Sequence, residues 1–485
     1  MSGNSHHPDK LDRVGGYSID AIRIHPSTGE KALKIEFGFV TELNIYEDIQ
    51  SNAITGSMEI VDTYNLIGNA QLQGNERLSF RLETPGRGAA GMVATVDASE
   101  ETGYPFFIYS ITDRRPVSET TMTYTIYFCS NELARNTRLR VNRTFDGDLG
   151  RMVLMPNLRP FDAVNLIAKK ALSGNANGAG YYFYETAKGF YFRSVENMLA
   201  YQSTFPRPQI RTLKYERPTI GGDMVSRKLH THLHNVQSYE FINKFDTLAN
   251  QALGTYASRV ITYNIFDKSY AINDYDYHRQ YGQLIHTDTT EEPRTRHNYP
   301  IARNPIDNDP KEIANAGDKT ISDYPESRVM LQPSTRYLHN DNTGAFGTDP
   351  NADGEIEGIR VSQRNQIKNS AILKLVVAGT SELQAGEIIQ FDYPRMEPNK
   401  GDLVETYYPY DPKYSGRYLI TKLRHRVIQD EYQMVLECIK DSVYEAQSEV
   451  AGEQYYLNPS EQRPAEDLYQ KEDGLAEVMT DDGSI

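Results

Sequence analysis

Tryptophan is absent from this 485-residue chain, and cysteine nearly so: only Cys129 and Cys438 occur. Two cysteines outside any CxxC exclude a disulfide framework and fit synthesis in a reducing cytoplasm. No run of 18 apolar residues is present, which excludes a membrane-spanning helix and predicts no membrane insertion. The opening MSGNSHHPDKLDR has no apolar stretch, so a secretory leader is not expected. Basic residues are outnumbered, 51 Lys and Arg against 66 Asp and Glu, for a net charge of -15. A surface that coats nucleic acid needs a basic stripe, and this balance argues against one. Walker A, GxGxxG, GxSxG and HExxH patterns are all missing, which weakens the case for an enzyme.

What is present is tyrosine, 34 residues beside 17 phenylalanines. Tyrosine joins a large apolar face to a polar tip, which suits half-buried strands and protein interfaces. A plain carbohydrate-binding β protein would also use tyrosine, but the lack of tryptophan counts against it. Negative charge gathers at the end of the chain. Residues 446–485 hold ten acids and two bases, with few aliphatics. Such a stretch lacks a core of its own and either extends or docks on a partner or is a solvated tail that aids solubility.

Residues 17–135 read as short strands separated by glycine turns. Lys34 to Phe39, Ser57 to Val61 and Leu78 to Leu82 alternate polar with apolar, and Phe107–Tyr109 and Tyr124–Phe128 are rich in β formers. The pattern changes at Pro160, where Val164, Ile167, Ala168 and Ala171 share a helical face. Tyr181 to Phe192 reads as an aromatic hairpin turning at Lys188-Gly189, followed by a short helix over Val195 to Leu199. A further helix is predicted from Phe241 to Gln251, ended by Gly254. Residues 286–358 are rich in Pro, Asn, Asp and Gly and predict a long loop or insertion arm. Regular structure returns with a helix over Ser362–Asn369. Strands follow at Ala371–Val377, Glu387–Tyr393, Arg417–Arg424 and Tyr432–Ile439. The start at Gly386-Glu387-Ile388-Ile389 echoes Gly74-Asn75-Glu76-Arg77-Leu78, a hint that the second strand group repeats the first.

Three groups of residues bear on chemistry. His230, His232 and His234 share one strand face, but same-face neighbours stand nearly 7 Å apart, too far to close on one ion from a straight strand. Asp349, Asn351, Asp353 and Gly354 match the first half of a calcium loop, while the twelfth position, which needs a bidentate Glu, is Arg360. An Asx-rich turn explains that stretch as well. Glu42, Glu47 and Asp48 lie together in the first strand group, where paired carboxylates would suit a glycosidase, yet nothing marks them as a site. Cys129 sits in an apolar strand and reads as a packed thiol. No catalytic or cofactor-binding residue and no cofactor is assigned.

The stretch VTELNIYEDIQSNAITGSMEIVDTYNLIGNAQLQGNERLSF resembles the baseplate hub proteins of contractile-tailed bacteriophages. It carries Glu42 to Ile49, Gly56, Asp62 and Gly74-Asn75-Glu76. Further pieces follow in family order: FIYSITDRRP with YFCSNELARN, FYETAKGFYFRSVENML, FDTLANQALGTYASRVITYNIFDKSY, VVAGTSELQAGEIIQFDYP and YSGRYLITKLRHRV. The resemblance spans roughly residues 30–440. It implies a mainly β chain with an α+β middle, carrying two tail-tube-like β-barrel domains in a homotrimer that closes a pseudo-sixfold ring.

Domain expectations follow from this. Residues 1–150 form the first tube-like domain, 151–285 an α+β connecting module, 286–361 the arm, 362–445 the second tube-like domain and 446–485 the acidic tail. The implied partners are the central spike, the tail tube and other baseplate proteins, in the virion. DNA is expected only as passing cargo, which acidic walls would not hold. The hub of another contractile injection system, such as a type VI secretion spike, is a close sibling. A cell-wall-degrading glycosidase is the alternative of a different class. Gly74, Gly386 and Gly416 are expected to start strands at turns, Leu419–Leu423 to be core, and the aromatic hairpin to join domains or subunits.

Overall fold

The computed structural model describes residues 15–19, 22–27, 31–69, 72–85, 92–99, 104–146, 152–169, 171, 178–199, 210–215, 235–243, 246–263, 268–288, 299–300, 321–333, 352–394, 410–411, 414–428 and 431–443. The chain opens with β1 (Ser18–Ile19), β2 (Ile22–His25), β3 (Leu33–Ile35), β4 (Val40–Asp48) and β5 (Thr55–Asp62). Helix α1 (Leu66–Asn69) precedes β6 (Arg77–Ser79), β7 (Arg81–Pro85), β8 (Met92–Asp97), β9 (Phe106–Pro116) and β10 (Met122–Cys129). The middle holds α2 (Asn131–Arg138), β11 (Val141–Asp146), β12 (Met152–Leu158), α3 (Pro160–Ala168), β13 (Tyr181–Thr186), β14 (Gly189–Ser194) and α4 (Val195–Leu199). After β15 (Arg211–Lys214) and β16 (Val236–Asn243) come α5 (Thr247–Ala252), β17 (Ala257–Tyr263), β18 (Tyr270–Asp276) and α6 (Tyr277–Tyr281). The last part runs β19 (Tyr299–Pro300), β20 (Val329–Pro333), α7 (Ala352–Asn369), β21 (Ala371–Ala378), β22 (Ile388–Asp392), β23 (Gly416–Ile428), β24 (Glu431–Lys440) and β25 (Ser442–Val443).

One sheet of 13 strands dominates. Its path is β16-β21-β24-β23-β4-β5-β10-β9-β6-β2-β3, with β22 and β15 attached beside β23. The path contains the same five-strand arrangement twice. In the first set the order is β4-β5-β10-β9-β6, and in the second it is β16-β21-β24-β23-β22. Chain order matches strand by strand, and two irregularities recur, while the shifts at Asp113–Arg114 in β9 and at Ile242 in β16 have no counterpart. A bulge falls at Thr41 between β4 and β5 and at Gln237 between β16 and β21. Another falls at Tyr109 between β9 and β10 and at Thr421 between β23 and β24. The Ile108 N–H donates to Glu76 O at 2.9 Å, and the Ile420 N–H donates to Glu387 O at 2.9 Å. Bulges bend a strand at a fixed position, so shared bulges mark a true structural duplication. The echo between Gly74-Asn75-Glu76 and Gly386-Glu387 is its sequence trace. Both glycines take left-handed backbone, φ +86° and +82°, and Gly416 has φ +127°, which is why glycine starts each of these turns.

The second set closes through a parallel bridge between Lys214, at the end of β15, and Asn235, just before β16, and the two sets are also joined to each other. Strand β23 is 13 residues long and serves two partners. Gly416 to Leu419 pair with β22, and Lys422 to Ile428 pair with β4. β15 and β16, from the expected connecting module, belong to the second set. The main core is continuous through both sets, from Ile22, Leu43 and Met58 to Leu375, Phe391 and Leu436. Leu419, Ile420 and Leu423 are buried within it or the adjoining core, as expected of a core strand.

The middle of the chain packs around this sheet. The β13–β14 hairpin buries Tyr182 and Tyr184 with Ile49 of the first set and Leu419 and Ile439 of the second. Its other face stacks Phe183 on Phe190 and Tyr181 on Phe192, with Phe190 and Phe192 exposed. Helix α7 lies on a small sheet, β18-β17-β20, over a tyrosine-rich core of Tyr256, Tyr275, Tyr277 and Tyr281.

Four sequence expectations are corrected. The alternation over Lys34 to Phe39 is broken: β3 ends at Ile35, and Phe37–Phe39 forms a single tight turn around Gly38 before β4 begins. The helix expected from Phe241 to Gln251 is half strand, because Phe241 pairs with Leu373. Helix α5 starts only after Asp246, whose carboxylate caps the Ala249 N–H at 2.8 Å. Leu248, counted toward its apolar stripe, is exposed. The helix expected from Ser362 starts ten residues earlier, at Ala352, and its backbone takes in Asp353 and Gly354. The arm is structured where described: Val329–Pro333 pairs parallel to β17, and His286–Asp288 is buried.

Candidate functional site

The joint between the two strand sets is the most elaborated polar feature of the fold. Side chains alternate along paired strands, so β4 and β23 present one face outward and one inward. On the outer face Glu42 Oε1 accepts from Arg424 Nη2 at 2.7 Å and from Arg426 Nε at 3.0 Å. Arg424 Nε donates to Asn44 Oδ1 at 2.8 Å, and its guanidinium lies over the Tyr46 ring. Burial alone pushes the Glu42 carboxyl up. The bonds from Arg426 and Asn44, with the charges of both arginines, outweigh it and hold the group below its ordinary value.

On the inner face Glu47 is 1 % exposed. Its Oε1 accepts from the Ala187 N–H at 2.7 Å, and its Oε2 accepts from the Ala385 N–H at 2.9 Å. The His425 imidazole stands 3.5 Å away and bonds the Tyr432 hydroxyl at 2.6 Å through its other nitrogen. One carboxylate from the first set thus fastens the hairpin tip, the turn before β22 and strand β23. Asp48, next in the chain, accepts from the Gln50 N–H at 2.7 Å and shapes the turn. Glu42 and Glu47 lie on opposite faces of β4, so the structure does not bring them together as an acid–base pair.

Two further groups are fastenings as well. Glu185 accepts from the Ile54 N–H at 2.9 Å, tying the hairpin to β5; burial is the main cause that pushes its carboxyl up to about 7. His286 bonds Asp441 at 2.8 Å and the Tyr281 carbonyl at 2.9 Å, with the Tyr281 ring stacked on it. Asp441 also accepts from the Thr287 N–H and hydroxyl, at 2.9 and 2.8 Å. Beside them Lys440 pairs with Asp288 at 3.1 Å. A His–Asp pair can orient a catalytic base, but here both imidazole nitrogens are engaged and the ring is 2 % exposed. The cluster clips residues 286–288 to the end of β24.

Among the described residues no group of three or more His, Cys, Asp or Glu is placed to hold a metal ion, and no helix is long and apolar enough to cross a membrane. His230, His232, His234, Asp349 and Asn351 lie outside the described residues. Cys129 is buried, and burial pushes its thiol up to about 12, leaving almost no thiolate at neutral pH. Cys438 is also a buried free thiol.

The joint has an open counterpart. By the duplication, the place that β4 takes along β23 corresponds to a place along the later part of β9. Past Tyr109, among the described residues, β9 pairs only with β10. The strand equivalent to β4 is β16, and it ends the sheet, paired only with β21 among the described residues. Tyr109 and Ile242 on these edges are 49 % and 52 % exposed.

The sequence reading passed over Arg424, Arg426 and His425 because charged residues on a strand read as solvent-facing. The available signal was the consecutive basic run Arg424-His425-Arg426 between Leu423 and Val427.

No protein-family model and no curated protein matches the chain. Solved structures similar to it include a tail protein from Neisseria meningitidis, at 11 % identity and a TM-score of 0.41, covering 88 % of this chain and 98 % of that one. The 43 kDa tail protein of prophage MuSo2 from Shewanella oneidensis is similar at 10 % identity and a TM-score of 0.40, covering 87 % of this chain and 98 % of that one. A chain of the Francisella PdpA-VgrG complex is similar at 9 % identity and a TM-score of 0.39, covering 88 % of this chain and 58 % of that one.

Proposed function

We propose that the chain is a structural hub of a contractile phage tail baseplate. In this reading it is a homotrimeric adaptor in the virion, seating the sixfold tail tube on one side and holding the threefold central spike on the other. Its centre is a channel for DNA ejection. The observation that carries the reading is the strand-for-strand duplication, with two shared bulges and the two halves joined in one sheet. A chain with two equivalent halves is the element needed to match different symmetries: three copies present six like halves to a tube and three like chains to a spike. The ordered sequence resemblance across residues 30–440 supports the same reading. The net charge of -15 suits a conduit, because like charge keeps a passing phosphate backbone from adhering. The acidic tail over residues 446–485 and the residues of the arm outside the described set are assigned to contacts with other baseplate components.

Light scattering of the purified chain tests this. The expected mass is three times 55.1 kDa, unchanged on dilution through the working range. A mass of 55.1 kDa at every concentration, with no larger species, would contradict the reading.

A further inference from the structure

We infer that a cationic cavity on the first strand set, between strands β2, β6 and β9 and helix α2, binds the acidic tail of the same chain, with tail carboxylates on Arg77, Arg135 and Arg138. The contact concerns the free chain, before other baseplate components reach the tail, and it does not depend on the hub reading.

Strand pairing builds the floor of the cavity. His25 stands opposite Arg77, and Arg77 opposite Phe107, so the three side chains form one row on the outer face of the sheet. Their neighbours Ile24, Leu78 and Phe106 lie in the main core. The wall is helix α2, whose Asn131, Arg135 and Arg138 recur at helical spacing along one side. Floor and wall enclose a cavity of about 390 Å³, within the range of small-ligand sites, roughly 300–1,000 Å³. The Arg138 guanidinium lies 5.7 Å from the centre of the Phe107 ring, and His25 bonds the Ser79 hydroxyl at 2.8 Å. Among the described residues no carboxylate lines the cavity, and none pairs with Arg77, Arg135 or Arg138. The nearby acids are engaged elsewhere. Glu76 is 1 % exposed and accepts from the N–H groups of Gln73, Gly74 and Asn75. Glu132, the one acid of α2, stands close enough to Glu185 and Cys129 to help push both up.

The duplication shows that this place is one the fold covers. In the second set Ile388 pairs with Leu419 in the register in which Arg77 pairs with Phe107. There the outer face is closed: Leu419 is buried with Tyr184 of the hairpin and Ile367 of α7, and Ile388 packs against them. The first set has arginine where the second has an apolar contact, and a cavity where the second has covering chain. Arginine forks match carboxylates two-pronged, so an acidic segment is the fitting cover. Residues 446–485 supply one, with ten acids and two bases. Within them Glu466-Asp467-Leu468-Tyr469 sets two carboxylates beside two apolar side chains, as the cavity sets arginines beside Phe107. From Val443 to Glu466 the chain can span about 75 Å, against about 30 Å for the width of a small domain. Tethering also favours the chain's own tail, because a linked segment acts at an effective concentration on the order of millimolar.

Carbodiimide coupling tests the contact, because it joins an amine only to a carboxylate that touches it. In the full chain carrying Arg135→Lys, at about 50 mM salt, the introduced lysine is expected to couple to an acid of residues 446–485. Peptide mass spectrometry of the single-chain band on a denaturing gel reads the link, and its yield should fall roughly fivefold or more at about 0.5 M salt. Coupling only to acids outside 446–485, no coupling, or links found only in a double-mass band would each overturn the inference. Proteolysis gives a second readout. Arg77→Gln, Arg135→Gln and Arg138→Gln together should speed cleavage of the tail by a glutamate-specific protease at least roughly fivefold at low salt. Arg140→Gln, just past α2 and outside the cavity, should leave the rate unchanged. Equal rates in the triple variant and the unaltered chain would contradict the docking. The mass of the triple variant by light scattering should match that of the unaltered chain, so the outcome here stays separate from that of the hub reading.

Discussion

At the scale of single residues, the fold is held where a buried charge meets backbone. Glu47 satisfies two N–H groups at turns, those of the half-buried Ala187 and the buried Ala385. Removing it strands both donors, and each stranded donor costs about 1–3 kcal/mol. Glu47→Ala is therefore expected to lower stability by roughly 2–5 kcal/mol in urea unfolding, with Glu47→Gln less severe because one acceptor oxygen remains. Glu185 acts in the opposite sense with pH. Its folded value of about 7 lies above its ordinary 4.5, so the unfolded chain releases this proton first as pH rises. Its contribution to stability thus falls between pH 4.5 and 7. Glu185→Gln keeps an acceptor for Ile54 and should raise stability at pH 8 relative to pH 4 by about 1–3 kcal/mol. No gain at the higher pH would remove this account of Glu185. Asp441 has the usual sign: burial pushes it up, but His286 and the Thr287 bonds outweigh that and hold it below its ordinary 3.8. The stability it contributes is present above that value and lost as pH falls below it. Asp441→Asn should accordingly cost more at pH 7 than at about pH 3.

At the scale of elements, the strands were legible and their partners were not. Alternation located β5, β10, β21 and β24 within a residue or two, and β23 apart from its last four residues, because each has one face in a core and a period of two records that directly. Helix α7 was half missed for the converse reason. Its buried face includes Arg360, Ser362 and Gln363, so the apolar stripe that would reveal it is interrupted by polar residues bonded to Ala179, Thr255 and Glu196. The last three residues of β16 were taken into a helix because Phe245, Leu248 and Leu253 just beyond them recur at helical intervals. Close approach also governs the elements. A Cβ at Gly379, the turn after β21, would fall 1.9 Å from the Tyr432 ring, which is itself fully buried against β23. Gly379→Ala is expected to destabilise the second strand set by about 2 kcal/mol or more, read as an earlier urea midpoint. An unchanged midpoint would show that the Tyr432 ring can move aside.

At the scale of the whole molecule, the sequence carried the duplication only as a faint echo at Gly74 and Gly386. The repeated arrangement is set by the backbone path, so two bulges and a strand order are retained while the residues differ. That also explains why the joint was invisible beforehand: pairing between β4 and β23 spans some 380 residues and depends on which edge is left open, a property of the sheet and not of either strand. What was legible was the class, a mainly β chain with an ordered set of hub-like segments. The two strand sets and the β4–β23 joint between them are the features that support the ring reading. The most direct test is an averaged end-on electron-microscope image of the purified particle. The account predicts a ring of six similar lobes with threefold symmetry around a central hole. Compact single-chain particles, or a twofold particle without a hole, would contradict it.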